Sequence, residues 1–310
     1  MAVIGYMFSG SGYQYINMGK KIYDHMWGFR KFYDKAEKKF PEFKINKLSF
    51  IGPEEELMRE ENGVIICGVY QCGVYEVLKE KNIKPEQAMG FKTGELAAFI
   101  SAGSLSFENA LGLMAKKTEF VKKDVNRENF FHLLVNGLKT ETVEKMALEI
   151  NKRVKCEITS YNADDSAVVI CEKKIKDKLA AIFKKAGAHI IELPYEEMSN
   201  FSLLRNAAEK MKKEFENIEF DRPNFRMLSQ TKGNYYENTA EIKETLFEYI
   251  HKPARIGDAL KNMLKNGVNT FVEVGPGNFM YRMGKKADRD KRILSTNDLG
   301  QIQITIKLAN

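Results

Sequence analysis

The chain has 310 residues, 44% of them apolar, and 49 Lys and Arg against 42 Asp and Glu give it a formal charge of +7. That length and apolar fraction suffice for a sizeable core in one large domain or two smaller ones, and no stretch of about 18 uninterrupted apolar residues is present to span a bilayer. Cys67, Cys72, Cys156 and Cys171 lack the paired C-x-x-C spacing of a zinc site and are too few to staple a chain of this length, so reduced, buried thiols are expected. The lysine excess is dispersed in short pairs such as Lys122-Lys123 and Lys212-Lys213 on the polar faces of amphipathic helices. This argues against nucleic acid and leaves room for an acidic partner on a basic rim. Ala2-Val3-Ile4 follows Met1 without a basic leader or cleavage-type site, from which a cytoplasmic location is expected.

The apolar run ending at Phe8 reads as a strand and Ser9-Gly10-Ser11-Gly12-Tyr13-Gln14 as a glycine loop, with a helix from Met18 to Tyr33. The loop has neither the Lys-Ser/Thr ending of a P-loop nor the third glycine of a dinucleotide fingerprint. Helices are expected over 54–61, 63–81, 94–103 and 107–122, the last with Ser106 as N-cap. Between two of them, Gly90-Phe91-Lys92-Thr93-Gly94-Glu95 has the layout of a nucleophile elbow, in which glycines relieve crowding around a strained central residue. The central residue here is Lys92.

Segments 130–135, 155–160, 167–170 and 189–193 read as strands, and 141–151 and 174–186 as helices. The order β-α-β-β-α-β matches a ferredoxin-like insert, after which Pro194 and Tyr195 lead back to the larger unit. A helix is expected from Met198 to about Asn217, a strand over 225–229, helices over 242–251 and 256–265, and a strand over 270–274 that stops in Gly275-Pro276-Gly277 before a helix at 279–283. In open parallel sheets the ligand crevice lies at the carboxyl ends of the strands. The turns at 9–14, 90–95 and 275–277 are therefore expected to converge on one cleft.

These residues resemble the malonyl-CoA:acyl-carrier-protein transacylases and the related acyltransferase domains of fatty-acid and polyketide synthases, over nearly the whole chain. Phe8 to Gln14 with Met18-Gly19 is similar to the family's F-P-G-Q-G-S-Q…M-G opening. Gly90 to Glu95 with Ala102-Gly103 is similar to G-H-S-x-G-E…A-G, and Glu273 to Gly277 to E-V-G-P-G. The resemblance implies an α/β fold: a large α/β-hydrolase-like domain with a short parallel sheet (1–127 and 197–310) and an inserted ferredoxin-like subdomain (128–196). It also implies a ping-pong transfer. A serine attacks an acyl-CoA thioester, a histidine takes its proton, backbone amides hold the oxyanion, and a carrier's phosphopantetheine thiol discharges the acyl-serine.

Carried over residue by residue, that machinery is altered. The nucleophile position is Lys92, and Phe91 takes the place of the preceding histidine. The base position falls on Phe201, with Asn200 and Ser202 one residue to either side, and none of the three is a competent base near neutral pH. The carboxylate-binding arginine falls on Lys117, which keeps the charge and loses the bidentate fork. The first-loop glutamine is Ser11. Thr93 adjoins the elbow position with its hydroxyl expected to point away from the cleft, and His251 is the one histidine expected to approach it, His25, His132 and His189 lying on remote segments. Lys92 is open to three readings: a residue without a role in the site, either on the surface or paired with Glu95 or another acid; a cation that binds an acidic group together with Lys117; or a covalent site.

The expectation is therefore a catalytically inactive acyltransferase-like protein that acts by binding an acidic acyl carrier protein, an acyl-CoA or a synthase or acyltransferase subunit. The alternative is an active acyltransferase or acyl hydrolase with displaced residues, such as Thr93 or Ser202 with His251. No bound cofactor, metal, nucleic acid or membrane is expected. Acyl-CoA or a phosphopantetheinyl carrier are the ligands to be considered.

Overall fold

The computed structural model describes residues 2–193 and 197–309, so the Pro194-Tyr195 connection lies outside them. Among these residues the strands are β1 (Ile4–Phe8), β2 (Gln87–Gly90), β3 (Phe130–Asn136), β4 (Cys156–Ala163), β5 (Ser166–Glu172), β6 (His189–Leu193), β7 (Arg226–Leu228), β8 (Thr270–Val274) and β9 (Arg292–Ser295). They form two sheets. One has the order β7-β2-β1-β8-β9 with every neighbouring pair parallel, and the other the order β4-β5-β3-β6 with every pair antiparallel.

The parallel sheet is covered on both faces, which is why its central strands read as continuous apolar runs. Alternation along each strand assigns the two sides. Tyr6 and Phe8 of β1 and Val272 and Val274 of β8 join the core around the helix Glu60–Glu80, whereas Met7 and Phe271 turn to the core of the helices Ile256–Lys265 and Phe279–Ala287. In the antiparallel sheet, Phe131, Leu133 and Val135 of β3 pack with Val143, Ala147, Leu179 and Phe183 of two helices. Its other face, with Ile170 and the partly buried Phe130, joins the large core. The strand order is that of the expected ferredoxin-like arrangement. All four cysteines are free and buried, and Ser106 caps its helix by accepting the Asn109 amide at 3.2 Å.

Several expected boundaries move. The helix expected over 18–33 is two helices, Lys20–His25 and Trp27–Lys39, because Met26 between them is extended. That expected from Met198 begins as a 3₁₀ turn at Ser202–Leu204 and becomes α-helical over Arg205–Glu216. The residues before it are drawn out of the helix by the chain alongside: the amides of Asn200 and Phe201 donate to the carbonyls of Tyr249 (2.9 Å) and Ile250 (3.3 Å). Strand β9 and the helix Leu299–Ala309 were not expected.

The turn from β2 into the helix Gly94–Ser101 passes against the end of β1, and the Phe91 amide donates to the Phe8 carbonyl at 2.8 Å. A Cβ on Gly90 would collide with the backbone of Glu95. One on Gly94 would collide with the Ser9 carbonyl and lie 2.6 Å from that of Phe8. Both clashes are with backbone that cannot swing aside. Gly90→Ala is therefore expected to destabilise the protein by about 3 kcal/mol, to be read as a lowered urea midpoint at unchanged slope.

Candidate functional site

Three turns meet at the carboxyl ends of the parallel strands. The Ser9 amide donates to the Val274 carbonyl (3.4 Å) and its hydroxyl to that of Pro276 (3.5 Å). A Cβ on Gly10 would stand 3.2 Å from that of Lys92. Lys92 has φ of +54°, a left-handed conformation that costs a side-chain-bearing residue on the order of 1–3 kcal/mol. Gln230 holds it there, because its amide accepts from the Lys92 N–H and donates to the Lys92 carbonyl, both at 2.8 Å. Gln230 is in turn fixed by Glu95, whose carboxylate accepts its amide nitrogens (2.7 and 3.1 Å) and the Tyr236 hydroxyl (3.0 Å). The elbow of the sequence is thus present with its strain intact.

The side chains around it converge on a residue the sequence did not single out. Glu197 is completely buried. One of its carboxylate oxygens accepts from the Lys117 ammonium (3.0 Å) and the Ser199 hydroxyl (3.1 Å). The other accepts from the hydroxyls of Thr93 (2.7 Å) and Ser11 (3.2 Å) and, at 3.4 Å, from the Ser11 amide. The Lys92 ammonium donates to the backbone carbonyl of Glu197 at 2.9 Å and lies 5.1 Å from the centre of the Phe91 ring, which stacks on Phe279. Lys117, also fully buried, takes a second carboxylate, Glu60, at 2.9 Å. The other Glu60 oxygen accepts from the Met198 amide (3.1 Å) and Arg127 (3.4 Å).

Lys92 is 2% exposed, which overturns its reading as a surface residue. Thr93 was expected to point away and instead donates into the site. It stands at the start of the helix Gly94–Ser101, and its side chain turns toward the nearest buried charge. A cavity of about 1040 Å³ is lined by Glu60, Arg127 and Met198, but not by Lys92, Thr93, Lys117 or Glu197. Glu60 and Met198 stand between that space and the converged groups.

The remaining candidates have other partners. Phe201 is fully buried, edge-on to Phe130 at 5.1 Å. Asn200 donates to the Lys252 carbonyl, and Ser202 is engaged by Glu157 and Lys155. His251 stacks on Phe247, and the charges it feels, Lys252, Arg205, Glu248 and Glu209, are not those of the site. His132, expected to be remote, is the histidine that feels the Lys92 charge. It sits on β3 opposite Ile170, on the face turned to the large core. Burial first, and then the charges of Lys92 and Arg127, hold its pKa well below the ordinary value.

Burial alone would raise the Glu197 carboxyl and lower the Lys117 ammonium, but their mutual attraction reverses both. Burial is outweighed at Glu197 by Lys117 and Lys92, which hold the carboxyl below its ordinary range. At Lys117 it is outweighed by Glu197 and Glu60, which hold the ammonium above its own. At Glu95 burial outweighs the hydrogen bonds from Gln230 and Tyr236 and pushes the pKa up to about 7. Burial does the same to Glu273, to about 7, against the amides of Met280 and Tyr281. Among the described residues no group of three or more His, Cys, Asp or Glu is placed to hold a metal ion, and no helix is long and apolar enough to cross a membrane.

A parallel five-stranded sheet, an inserted antiparallel sheet and an elbow facing a glycine loop define an acyl-transfer scaffold. The acyl transferase domain family matches residues 5–303, and the chain belongs to that family. It is 26% identical over 309 residues to the malonyl CoA-acyl carrier protein transacylase of Bacillus subtilis (strain 168), covering 99% of this chain and 97% of that protein. The crystal structure of malonyl CoA-acyl carrier protein transacylase from Clostridium perfringens superposes with a TM-score of 0.91 at 25% identity, covering 99% and 96% of the two chains. A malonyl-transacylase solved in complex with its type II PKS acyl-carrier protein shares the fold, with a TM-score of 0.92 at 21% identity and 99% of each chain covered.

Two outcomes follow from the charges. Lys117→Met leaves Glu60 and Glu197 buried without their shared cation and is expected to cost about 3–5 kcal/mol in urea unfolding. Glu95 binds its proton more tightly in the folded than in the unfolded chain. Its contribution to stability is therefore full below the unfolded value and declines as pH rises through about 7. Unfolding of the wild type and of Glu95→Gln measured across that window should show the stability of the wild type relative to the variant falling as pH rises through about 7, with Glu273 acting in the same sense and the depressed His132 and His251 in the opposite one.

Proposed function

We propose that this chain is a malonyl-CoA:acyl-carrier-protein transacylase-like protein of a fatty-acid or polyketide pathway that no longer transfers acyl groups and acts in the cytoplasm by binding. In this reading residues 1–127 and 197–310 form the acyltransferase-like domain and 128–196 its inserted subdomain. The observation that carries it is the state of the elbow. The Lys92 ammonium is buried and directed at a backbone carbonyl, and the base position is a phenylalanine packed on another ring. An amine that did attack a thioester would form an amide, which a carrier thiol does not reverse.

The partner favoured by the chemistry is an acidic acyl carrier protein, or a synthase or acyltransferase subunit. The dispersed lysines and the formal charge of +7 supply a field for such a partner, and a relative of the same fold is known in complex with a carrier. Acyl-CoA is the small-molecule alternative.

One contact favours a second reading, an active enzyme with a displaced nucleophile. The Thr93 hydroxyl donates to Glu197 at 2.7 Å, the geometry of a hydroxyl and its base. Glu197 is a poor base, however, because Lys117 and Lys92 hold its pKa low and its oxygens accept further donors.

Intact-protein mass measurement after incubation with malonyl-CoA, followed by holo carrier protein, tests the proposal. The expected result is an unchanged mass and no malonyl transfer. A labile adduct on Thr93 or any other residue that discharges to the carrier overturns it.

A further inference from the structure

The contacts of Glu197 make a complete carboxylate-binding shell. A carboxylate offers about four lone-pair sites, and here they face the Lys117 ammonium, the hydroxyls of Ser199, Thr93 and Ser11, and the Ser11 amide. These donors come from separate parts of the fold: the loop after β1, the elbow after β2, the helix Phe107–Asp124 and the chain beside Glu197 itself. They are buried, so water does not take the place of the anion. We infer that Glu197 is a built-in carboxylate ligand, which fills the elbow site from within and keeps it closed to free carboxylates and carboxyacyl groups.

This inference rests on the non-catalytic reading of the elbow and goes further. A site occupied by the chain's own carboxylate does not read an acyl group, so recognition of a carrier or other partner is made on the outer surface. The arrangement also states what an emptied site would be. Lys117 retains Glu60 as a second partner, so removal of Glu197 leaves the ammonium in place and charged, and the hydroxyls of Thr93 and Ser11 without an acceptor. The space so created is a closed cation-lined hole of carboxylate size, with the Lys92 side chain beside it.

The experiment titrates the wild-type protein and Glu197→Ala with malonate and with formate, using calorimetry and the thermal midpoint, with chloride at equal ionic strength as control. The wild type is expected to show no saturable binding. Glu197→Ala is expected to melt lower, and both carboxylates should raise its midpoint saturably while chloride does not. Binding to the variant should be at least roughly tenfold tighter than to the wild type. Saturable malonate binding by the wild type overturns the inference, and that titration decides it whether or not the alanine variant folds. A folded Glu197→Ala that ignores both carboxylates overturns it as well. The outcomes separate the two readings: a labile acyl adduct overturns the non-catalytic one, whereas malonate binding without an adduct overturns only the internal ligand.

Discussion

Charge buried without water has to be answered by charge and by donors from the same chain, and in this protein that constraint is met at Glu197. The residue follows β6, the last strand of the antiparallel sheet, and its carboxylate reaches the loop after β1, the elbow after β2 and the helix Phe107–Asp124. Ion pairs of this kind gain little over well-packed apolar groups, because desolvation consumes most of the attraction. Their effect is on arrangement. With both lysines inside, the acid has one place to go, and the elements that carry its donors are held in one relation.

The form of the elbow has causes unconnected with a nucleophile. Gly90 and Gly94 are required because the turn passes against the backbone of β1 and of its own helix. The left-handed Lys92 is retained because Gln230 satisfies both its amide and its carbonyl, and Glu95 and Tyr236 fix Gln230. A strained residue persists where the surroundings over-determine it. Here the surroundings are packing and backbone hydrogen bonds, all indifferent to the side chain at the centre. The outward form of the turn is thus set by what surrounds it and not by the residue at its centre.

What the sequence disclosed followed the range over which its signals act. The period-2 and period-3.6 patterns placed β1, β8, the helix Ile256–Lys265 and the whole β-α-β-β-α-β insert, because alternation is a local property of a buried face. The four-residue edge strand β9 carries only Ile293 and Leu294 as apolar residues, too short a run to register. The start of the helix after Phe201 was misplaced because hydrogen bonds to residues 249 and 250 decide it. The site divided in the same way. Ser11, Lys92 and Lys117 were found through motifs, but Glu197 and Gln230 meet them from 80 and 138 residues away. One signal was available: two lysines placed in a closed site demand a buried acid. Thr93 and His132 were misjudged for a related reason, since side-chain direction on a turn or at a sheet interface is settled by what packs opposite.

A lysine at position 117, where the family resemblance implies an arginine, has a structural sense in these terms. Arginine presents a planar fork that matches one carboxylate bidentately. The ammonium of Lys117 instead serves two carboxylates arriving from different elements, Glu60 at 2.9 Å and Glu197 at 3.0 Å. Three tetrahedral donors divide between two acids more readily than a fork does, and a compact head leaves room for the second acid inside the core. A lysine here is therefore less suited to gripping one planar ligand and better suited to bridging two carboxylates of its own chain. The same side chain that weakens the case for carboxyacyl selection strengthens the case for an internal counter-ion.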